Sequence, residues 1–537
     1  MFKLIKPLSA AFGAVLLAAC GGSSTNTSAL STSTAHGTLS MNPPFRIASL
    51  NAADFQANLA ASTSGAQLLE ITGNPTCGVD FYYLQFWTIG GAGETTESSG
   101  ALMVPTGAAP ACSGPRPIVL YGHATETNKT FNIADITNAS NTEGALIAAM
   151  FAAQGYIVVA PNYAGYDIST LGYHPFLNAE QQSGEMIDIL TAARTALPKT
   201  LSSATSDNGK LFISGYSEGG HVAMATERAL ELAGSTVTAA APGSGPYALE
   251  ALVDAVFFGA VNLDSTVFSP LLTTSYQEAY GNIYSALTDV YSTTYATGIN
   301  TLLPSLTPID TIISSGLLPE TALFDSTTPV VDIPNDPTLS AELTAALGVP
   351  PTPFLPASPD TPLFDLGFGS PYLINNAFRV SYVLDVASNP DGADAFPATK
   401  PGFPLAAAPP AQTFRLALYK NDLRNGNWAP HAPTLMCGGD QDPTVYFAQN
   451  TQVMQAFWSA LPAGLVSVLD LSAAPSGPFA AVQTGFQTSQ AQQFAFYQTA
   501  AGGGLSLAAA AELIVQNYHT SEDPFCAVAA RAFFSQF

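Results

Sequence analysis

Five residues, Gly215-Tyr216-Ser217-Glu218-Gly219, sit between a stretch that reads as a short buried strand (210–214) and one that reads as a helix (219–233). Gly-x-Ser-x-Gly at such a junction narrows the fold severely. The chain must pass from strand to helix within one or two residues. That turn forces the serine into a backbone conformation that side chains avoid, and the flanking glycines relieve the crowding. The hydroxyl then stands clear at the C-terminal edge of a sheet. Amide N–H groups at the start of the following helix face the place where negative charge would develop. The bland alternative for Ser217 is a cap on that helix.

The surrounding chain reads in the same rhythm. Residues 81–89 and 100–104 form a hairpin pattern around Gly90-Gly91-Ala92-Gly93. A strand at 117–121, an amphipathic helix at 143–154 stopped by Gly155, a strand at 156–160, a helix at 180–197 and the strand–helix pair above follow in order. Alternation of this kind implies βαβ units and a parallel sheet. From about 246 to 410 the rhythm gives way to helices and Pro-rich loops. There, Leu249, Leu252, Val253, Val256 and Phe257 share a helix face, and Tyr276, Tyr280, Tyr284, Tyr291 and Tyr295 recur at helical spacing. The tyrosine stripe reads either as core packing or as a wall over a substrate pocket, and the Pro-rich stretch at 349–362 as a crossing loop or hinge. Strand character returns at 434–437, and a helix at 527–534 ends the chain. The expected organisation is an α/β core at 46–245 and 411–537, interrupted by a helical insertion at 246–410.

An activated serine needs a base, usually histidine, and an acid to orient it. Six histidines are present: His36, His123, His174, His221, His431 and His519. In folds with this turn the chain order is Ser, acid, His. Only His431 and His519 follow Ser217, and His431 precedes the acid candidates. His519 is therefore the expected base, in a loop between two helical segments. The acid should follow a late strand, and Gly438-Gly439-Asp440-Gln441-Asp442-Pro443 follows 434–437. Asp442 is preferred, with Asp440 as a turn former. His123 and His221 read as structural.

Taken together, these segments resemble an α/β-hydrolase, of the capped secretory lipase and bacterial esterase type. The likeness rests on Leu120-Tyr121-Gly122-His123, Gly155-Tyr156-Ile157-Val158-Val159-Ala160-Pro161-Asn162-Tyr163, Gly215-Tyr216-Ser217-Glu218-Gly219-Gly220-His221, and the Asp442 and His519 segments. It covers roughly 75–245 and 411–537. Ala124 stands where the pattern has Gly, and Asn162 where Asp is often seen. The resemblance implies a mostly parallel central sheet with helices on both faces and a large, mainly helical cap. It implies a serine carboxylic-ester hydrolase with Ser217, His519 and Asp442 as triad and no metal or organic cofactor. The backbone N–H groups of Glu218 and Thr125 would form the oxyanion hole. The apolar cap points to hydrophobic acyl or aromatic esters, small or polymeric. A peptidase of the prolyl-oligopeptidase or tripeptidyl-aminopeptidase type shares the triad order and would need an acidic pair for a free amino terminus. A non-catalytic binding lipoprotein would have no need of the ordered triad.

Address and partners come from the N-terminus and the charge. Lys3 and Lys6 followed by an apolar run at 8–19 form a signal peptide pattern, too short to span a membrane. Its end, Leu17-Ala18-Ala19-Cys20, resembles a bacterial lipobox, which implies cleavage before Cys20 and lipidation of it. Residues 21–45 then read as a flexible tether. Gly21 in place of Asp favours the outer membrane, periplasmic or surface face, or release from it. With 15 basic and 39 acidic residues, a net charge of −24 excludes nucleic acid as a partner. Of five cysteines, four remain after Cys20, which suggests two disulfides in an oxidising compartment. Cys77–Cys112 would close the hairpin region. Cys437–Cys526 would pin the acid loop to the segment behind His519.

Overall fold

The computed structural model describes residues 35–136, 138, 141–200, 204–325, 361–393, 402–499 and 504–537. The segment expected to be a signal peptide, Cys20, residues 21–34 and nearly all of the Pro-rich stretch at 349–362 lie outside them.

A nine-stranded sheet forms the frame. Its strands are β1 (Phe45–Leu50), β2 (Gly78–Ile89), β3 (Thr95–Thr106), β4 (Gly114–Gly122), β5 (Ile157–Pro161), β6 (Thr205–Tyr216), β7 (Ala239–Gly243), β10 (Thr434–Gly438) and β11 (Val466–Asp470). Two-residue strands β8 (Phe324–Asp325) and β9 (Phe368–Gly369) pair separately. The order is β1-β2-β3-β5-β4-β6-β7-β10-β11. The first three strands are antiparallel meander, and β3 meets β5 antiparallel. From β5 to β11 every neighbouring pair is parallel. Strands β5, β7 and β10 are buried along their whole length, as strands covered on both faces must be.

Helices α1 (Ala52–Ala60) and α2 (Thr63–Thr72) precede β2, and the crossovers are α3 (Thr142–Met150) between β4 and β5, α4 (Ala179–Ala196) between β5 and β6, and α5 (Glu218–Leu232) between β6 and β7. After β4 the chain moves one way to β5, then returns past β4 to β6 and continues the other way. The order therefore reverses between β4 and β6, and a crevice opens beyond their C-terminal ends. Register brings Gly122 opposite Gly215, Tyr216 opposite Gly243, and Gly243 opposite Cys437. The loops after β4, β6, β7 and β10 thus leave the sheet along one edge.

Between β7 and β10 the described chain is mainly helical: α6 (Leu249–Phe257), α7 (Ser265–Tyr280), α8 (Ile309–Ser314), α9 (Thr361–Leu366), α10 (Asn376–Ser388) and α11 (Thr413–Asn421). It has its own apolar core, in which Phe257, Tyr276, Phe324, Phe364, Phe378 and Phe414 take part. After β10 come α12 (Thr451–Phe457), α13 (Ala480–Thr499), α14 (Leu507–Gln516) and α15 (Tyr518–Phe534).

Several expectations are corrected here. The tyrosines do not form one helical stripe: α7 ends at Tyr280, where Gly281 takes the left-handed conformation, and Tyr284, Tyr291 and Tyr295 follow outside any α-helix. Tyr276 and Tyr291 are buried in the core of the insertion. The helix after β4 is buried on nearly all sides rather than amphipathic, because it packs against α15 and against the helix Thr63–Thr72. The expected flexible tether is not seen over 35–45. Gly37 and Ser40 donate to the carbonyls of Trp87 and Gln85, and Leu39 pairs with Phe86, so this stretch lies along β2.

Candidate active site

Ser217 sits at φ 57°, ψ −121°, between the end of β6 and the start of α5. Its N–H bonds the Gly243 carbonyl at 3.0 Å, which anchors the turn to β7. The two motif glycines answer to close approach. A Cβ at Gly219 would lie 1.9 Å from the Gly122 carbonyl oxygen, and one at Gly215 2.2 Å from that of Gly219. Neither distance is tolerable, so the motif reports backbone stacked on backbone. Ser217 makes no side-chain cap to α5, and the bland alternative fails.

The structure brings Ser217, His519 and Asp442 together. His519 Nε2 lies 2.8 Å from Ser217 Oγ, and Nδ1 lies 2.6 Å from Asp442 Oδ2. All three residues are buried. Asp442 also accepts from the Thr444 N–H (2.9 Å), the Val445 N–H (3.0 Å) and the Ser244 hydroxyl (2.6 Å). Asp440 is exposed, and its N–H bonds Asp470. His519 is not in a loop as expected. It lies in the first turn of α15, separated from α14 by Asn517 alone. The Thr520 and Ser521 hydroxyls both donate to the Asn517 carbonyl, which lets one residue serve as the whole connection. The Tyr216 hydroxyl, next to the serine, donates to the His519 carbonyl and fixes the helix start.

Cys437 and Cys526 are bonded, as are Cys77 and Cys112. The first bond ties the end of β10 to the middle of α15. Behind it Glu522 is wholly buried, and its carboxyl is held well above the ordinary range by burial and by the charge of Asp442. Asp442, His519 and Glu522 each offer an atom within 4.8 Å of the others, which is metal-ligand spacing. Both ring nitrogens of His519 are already engaged by Asp442 and Ser217, so neither is free to take a metal ion.

Glu218 and Thr125 line one cavity with Ser217. The Glu218 N–H belongs to the first turn of α5, where no helical partner exists. Ala124 turns its own N–H to the Glu143 carboxylate, 3.1 Å from each oxygen. His123 is buried and stacked on Tyr163, at 4.1 Å between ring centres, and burial lowers it to about 4. His221 is likewise buried, with Nε2 3.1 Å from the Asn421 carbonyl. His36 and His431 are exposed at Asp188 and Glu231, away from the serine.

From Ser217 an apolar cavity runs into the helical insertion. All five apolar residues of the α6 face line it, with Phe268, Phe378 and Phe414 opposite, and none of the five tyrosines does. On the other side of the triad a more polar cleft is lined by Glu126, Glu143, Asp264 and Asp523 together with Ser217 and His519.

No family model matches the chain, and no curated protein matches it. Solved structures do. A rice cell wall degrading esterase, LipA from Xanthomonas oryzae, aligns at TM-score 0.62 and 23% identity over 94% of this chain and 99% of that one. Its ligand-bound form aligns at TM-score 0.58 and 24% identity, covering 81% and 91%. A protein described as a hydrolase from Legionella pneumophila aligns at 0.57 and 18%, covering 92% and 96%. The chain has the α/β-hydrolase fold, with a helical insertion between β7 and β10. Among the described residues no helix is long and apolar enough to cross a membrane.

Sequence reasoning passed over four contributors. Ser244 caps the acid from a Gly-Ser-Gly turn after β7, a strand too small in its side chains to be noticed. Tyr216 and Glu522 are identifiable only by their distance from His519. His174 lies 2.7 Å from Glu218, across 44 residues of sequence.

Proposed function

We propose that this chain is a serine hydrolase of carboxylic esters with hydrophobic acyl groups. The observation that carries the reading is a left-handed serine 2.8 Å from a histidine whose other nitrogen is held by a buried carboxylate. Ser217 attacks the ester carbonyl while His519 Nε2 takes its proton. Asp442 fixes the tautomer and stabilises the imidazolium. The N–H groups of Glu218 and Thr125 receive the oxyanion. His519 returns the proton to the leaving alcohol, and water then cleaves the acyl-enzyme by the same route. The apolar cavity takes the acyl chain, and the polar cleft takes the alcohol side. The enzyme is exported, with Cys20 as lipid anchor in the outer membrane on its periplasmic or surface face, or released from it, and the two disulfides form outside the cytoplasm.

One observation favours a second reading, an aminopeptidase. The cleft beside His519 carries four carboxyls, the kind of group that holds a free amino terminus. Burial pushes Glu126 and Asp523 up to about 7, so neither is a full anion at neutral pH, which weakens that reading. Nitrophenyl esters of graded chain length and aminoacyl nitroanilides separate the two. Ester turnover that exceeds anilide turnover, and is lost in Ser217→Ala, is expected; the reverse preference overturns the proposal.

A further inference from the structure

The motif residue after the serine is a glutamate, an awkward choice. Its backbone N–H is the proposed first oxyanion donor, and its carboxylate would repel the charge that donor is meant to stabilise. The side chain is almost wholly buried. Glu218 Oε1 lies 2.7 Å from His174 Nε2 and accepts from the Gln182 amide of α4 at 2.6 Å. His174 has no exposed surface, and its Nδ1 lies 2.9 Å from the Ala164 carbonyl oxygen. A carbonyl only accepts, so Nδ1 carries a proton. Nε2 faces the Glu218 carboxyl at hydrogen-bond distance, so the two groups share a proton in a buried His–Glu pair. Burial favours the neutral acid, yet the His174 charge and hydrogen bond hold Glu218 below the ordinary carboxylate range.

The pair reaches the other oxyanion strand too. Tyr163 stacks on His174 at 5.5 Å and on His123 at 4.1 Å, and its hydroxyl donates to the His123 carbonyl at 3.1 Å. His123 precedes Ala124 and Thr125 in the loop after β4. One stack of rings therefore joins the two segments that carry the proposed donors.

We propose that His174 is a positioning residue for the oxyanion site, which holds the Glu218 carboxyl and cancels its charge beside the donor N–H groups. The inference rests on the ester-hydrolase reading above. Around the pair, the titratable groups are His123, Tyr163 and Tyr166 from the adjoining loops, Glu126 beyond them, His221 of α5, and Glu185 of α4, which bonds the Ala164 N–H.

The test compares the wild type with His174→Gln, Glu218→Gln and the double variant on a nitrophenyl ester, with a trifluoromethyl ketone as oxyanion-forming inhibitor. Removing one oxyanion donor outright costs about 10²–10³ in rate, so an uncancelled charge beside the donors should lower kcat and ketone affinity in His174→Gln by about tenfold or more, with KM within about twofold. That loss should deepen from pH 6 to pH 9. Without His174, burial raises Glu218, which is then neutral at low pH and charged as pH rises. The double variant has no charge to cancel, and should regain kcat to within a few-fold of wild type without the pH trend. Wild-type kcat and ketone affinity in His174→Gln overturns the proposal, and so does a double variant as impaired as the single one. Should His174→Gln fail to fold, a tenfold loss in the folded double variant overturns it equally. A wild type that hydrolyses no ester defeats the ester-hydrolase reading itself, before any variant is compared.

Discussion

Removing the Cys437–Cys526 bond tests how the triad is held. The bond closes a separation of 89 residues, against 35 for Cys77–Cys112. In the chain-entropy model these loops contribute about 4.6 and about 3.8 kcal/mol, so on stability alone the two bonds are nearly equivalent. At about 2.1 cal/mol/K per residue, a folded body of roughly 500 residues has an unfolding entropy near 1 kcal/mol/K, so each loss should lower Tm by about 4 °C. Activity separates them. Cys437 lies five residues before Asp442, and Cys526 seven after His519, on the helix that carries it. Without the bond, α15 is held at the acid loop by the His519–Asp442 and Tyr216–Glu522 hydrogen bonds and by packing such as Phe525 on Phe486 of α13. A drift near 1 Å between His519 and Ser217 costs up to about 10²-fold. Cys437→Ala with Cys526→Ala should therefore lower both Tm and kcat. Cys77→Ala with Cys112→Ala should lower Tm alone. Alanine is chosen so that no buried hydroxyl is left unpaired. Calorimetry and ester kinetics on both pairs give the answer. Equal kcat in the two double variants would refute the argument that this bond positions the triad.

Three further outcomes are expected. Asp442→Asn should cost about 10⁴ in kcat, since it loses the acceptor that sets the His519 tautomer, while Asp440→Asn should cost far less; the opposite ranking by ester kinetics would assign the acid to Asp440. Val253→Trp, on the cavity wall of α6, should abolish turnover of long acyl esters and spare acetate, and equal loss for both would remove α6 from the acyl site. Burial raises Glu126 to about 7, above its unfolded value near 4.3, so its folded form keeps a proton that the unfolded chain releases. Its stabilisation is complete below about pH 4 and lost as pH rises through 7. Glu126→Gln should thus melt higher than wild type at pH 8 and at the same temperature near pH 4, and a thermal shift of equal size at both would contradict the assignment.

Legibility in the sequence followed local signals. Strands β5 and β10, and the buried C-terminal halves of β4 and β6, are short and apolar, and they declare themselves. Ser217 was readable because its motif encodes a backbone collision at Gly215 and Gly219. Strand β7, Ala239-Ala240-Ala241-Pro242-Gly243, has no branched side chain and contains a proline. It is a strand because β6 and β10 flank it, which no window of sequence contains. The edge strand β1 has few buried residues to mark it. The tyrosines misled because five similar residues at nearly helical spacing span Gly281, which ends the helix. His519 was found by chain order, yet its place on a helix depends on hydroxyls at Thr520 and Ser521 bonding back to Asn517. The His174–Glu218 pair joins two elements across the core, and only tertiary structure shows it.

The central claim is that His519, oriented by Asp442, activates Ser217. A fluorophosphonate probe tests it most directly, because such reagents bond the activated serine rather than serines in general. Intact-mass and peptide mass spectrometry should find one adduct per chain, on the peptide that contains Ser217. Labelling should vanish in Ser217→Ala and slow by orders of magnitude in His519→Ala. An unlabelled wild-type protein, or an adduct on another residue that survives Ser217→Ala, would contradict the account.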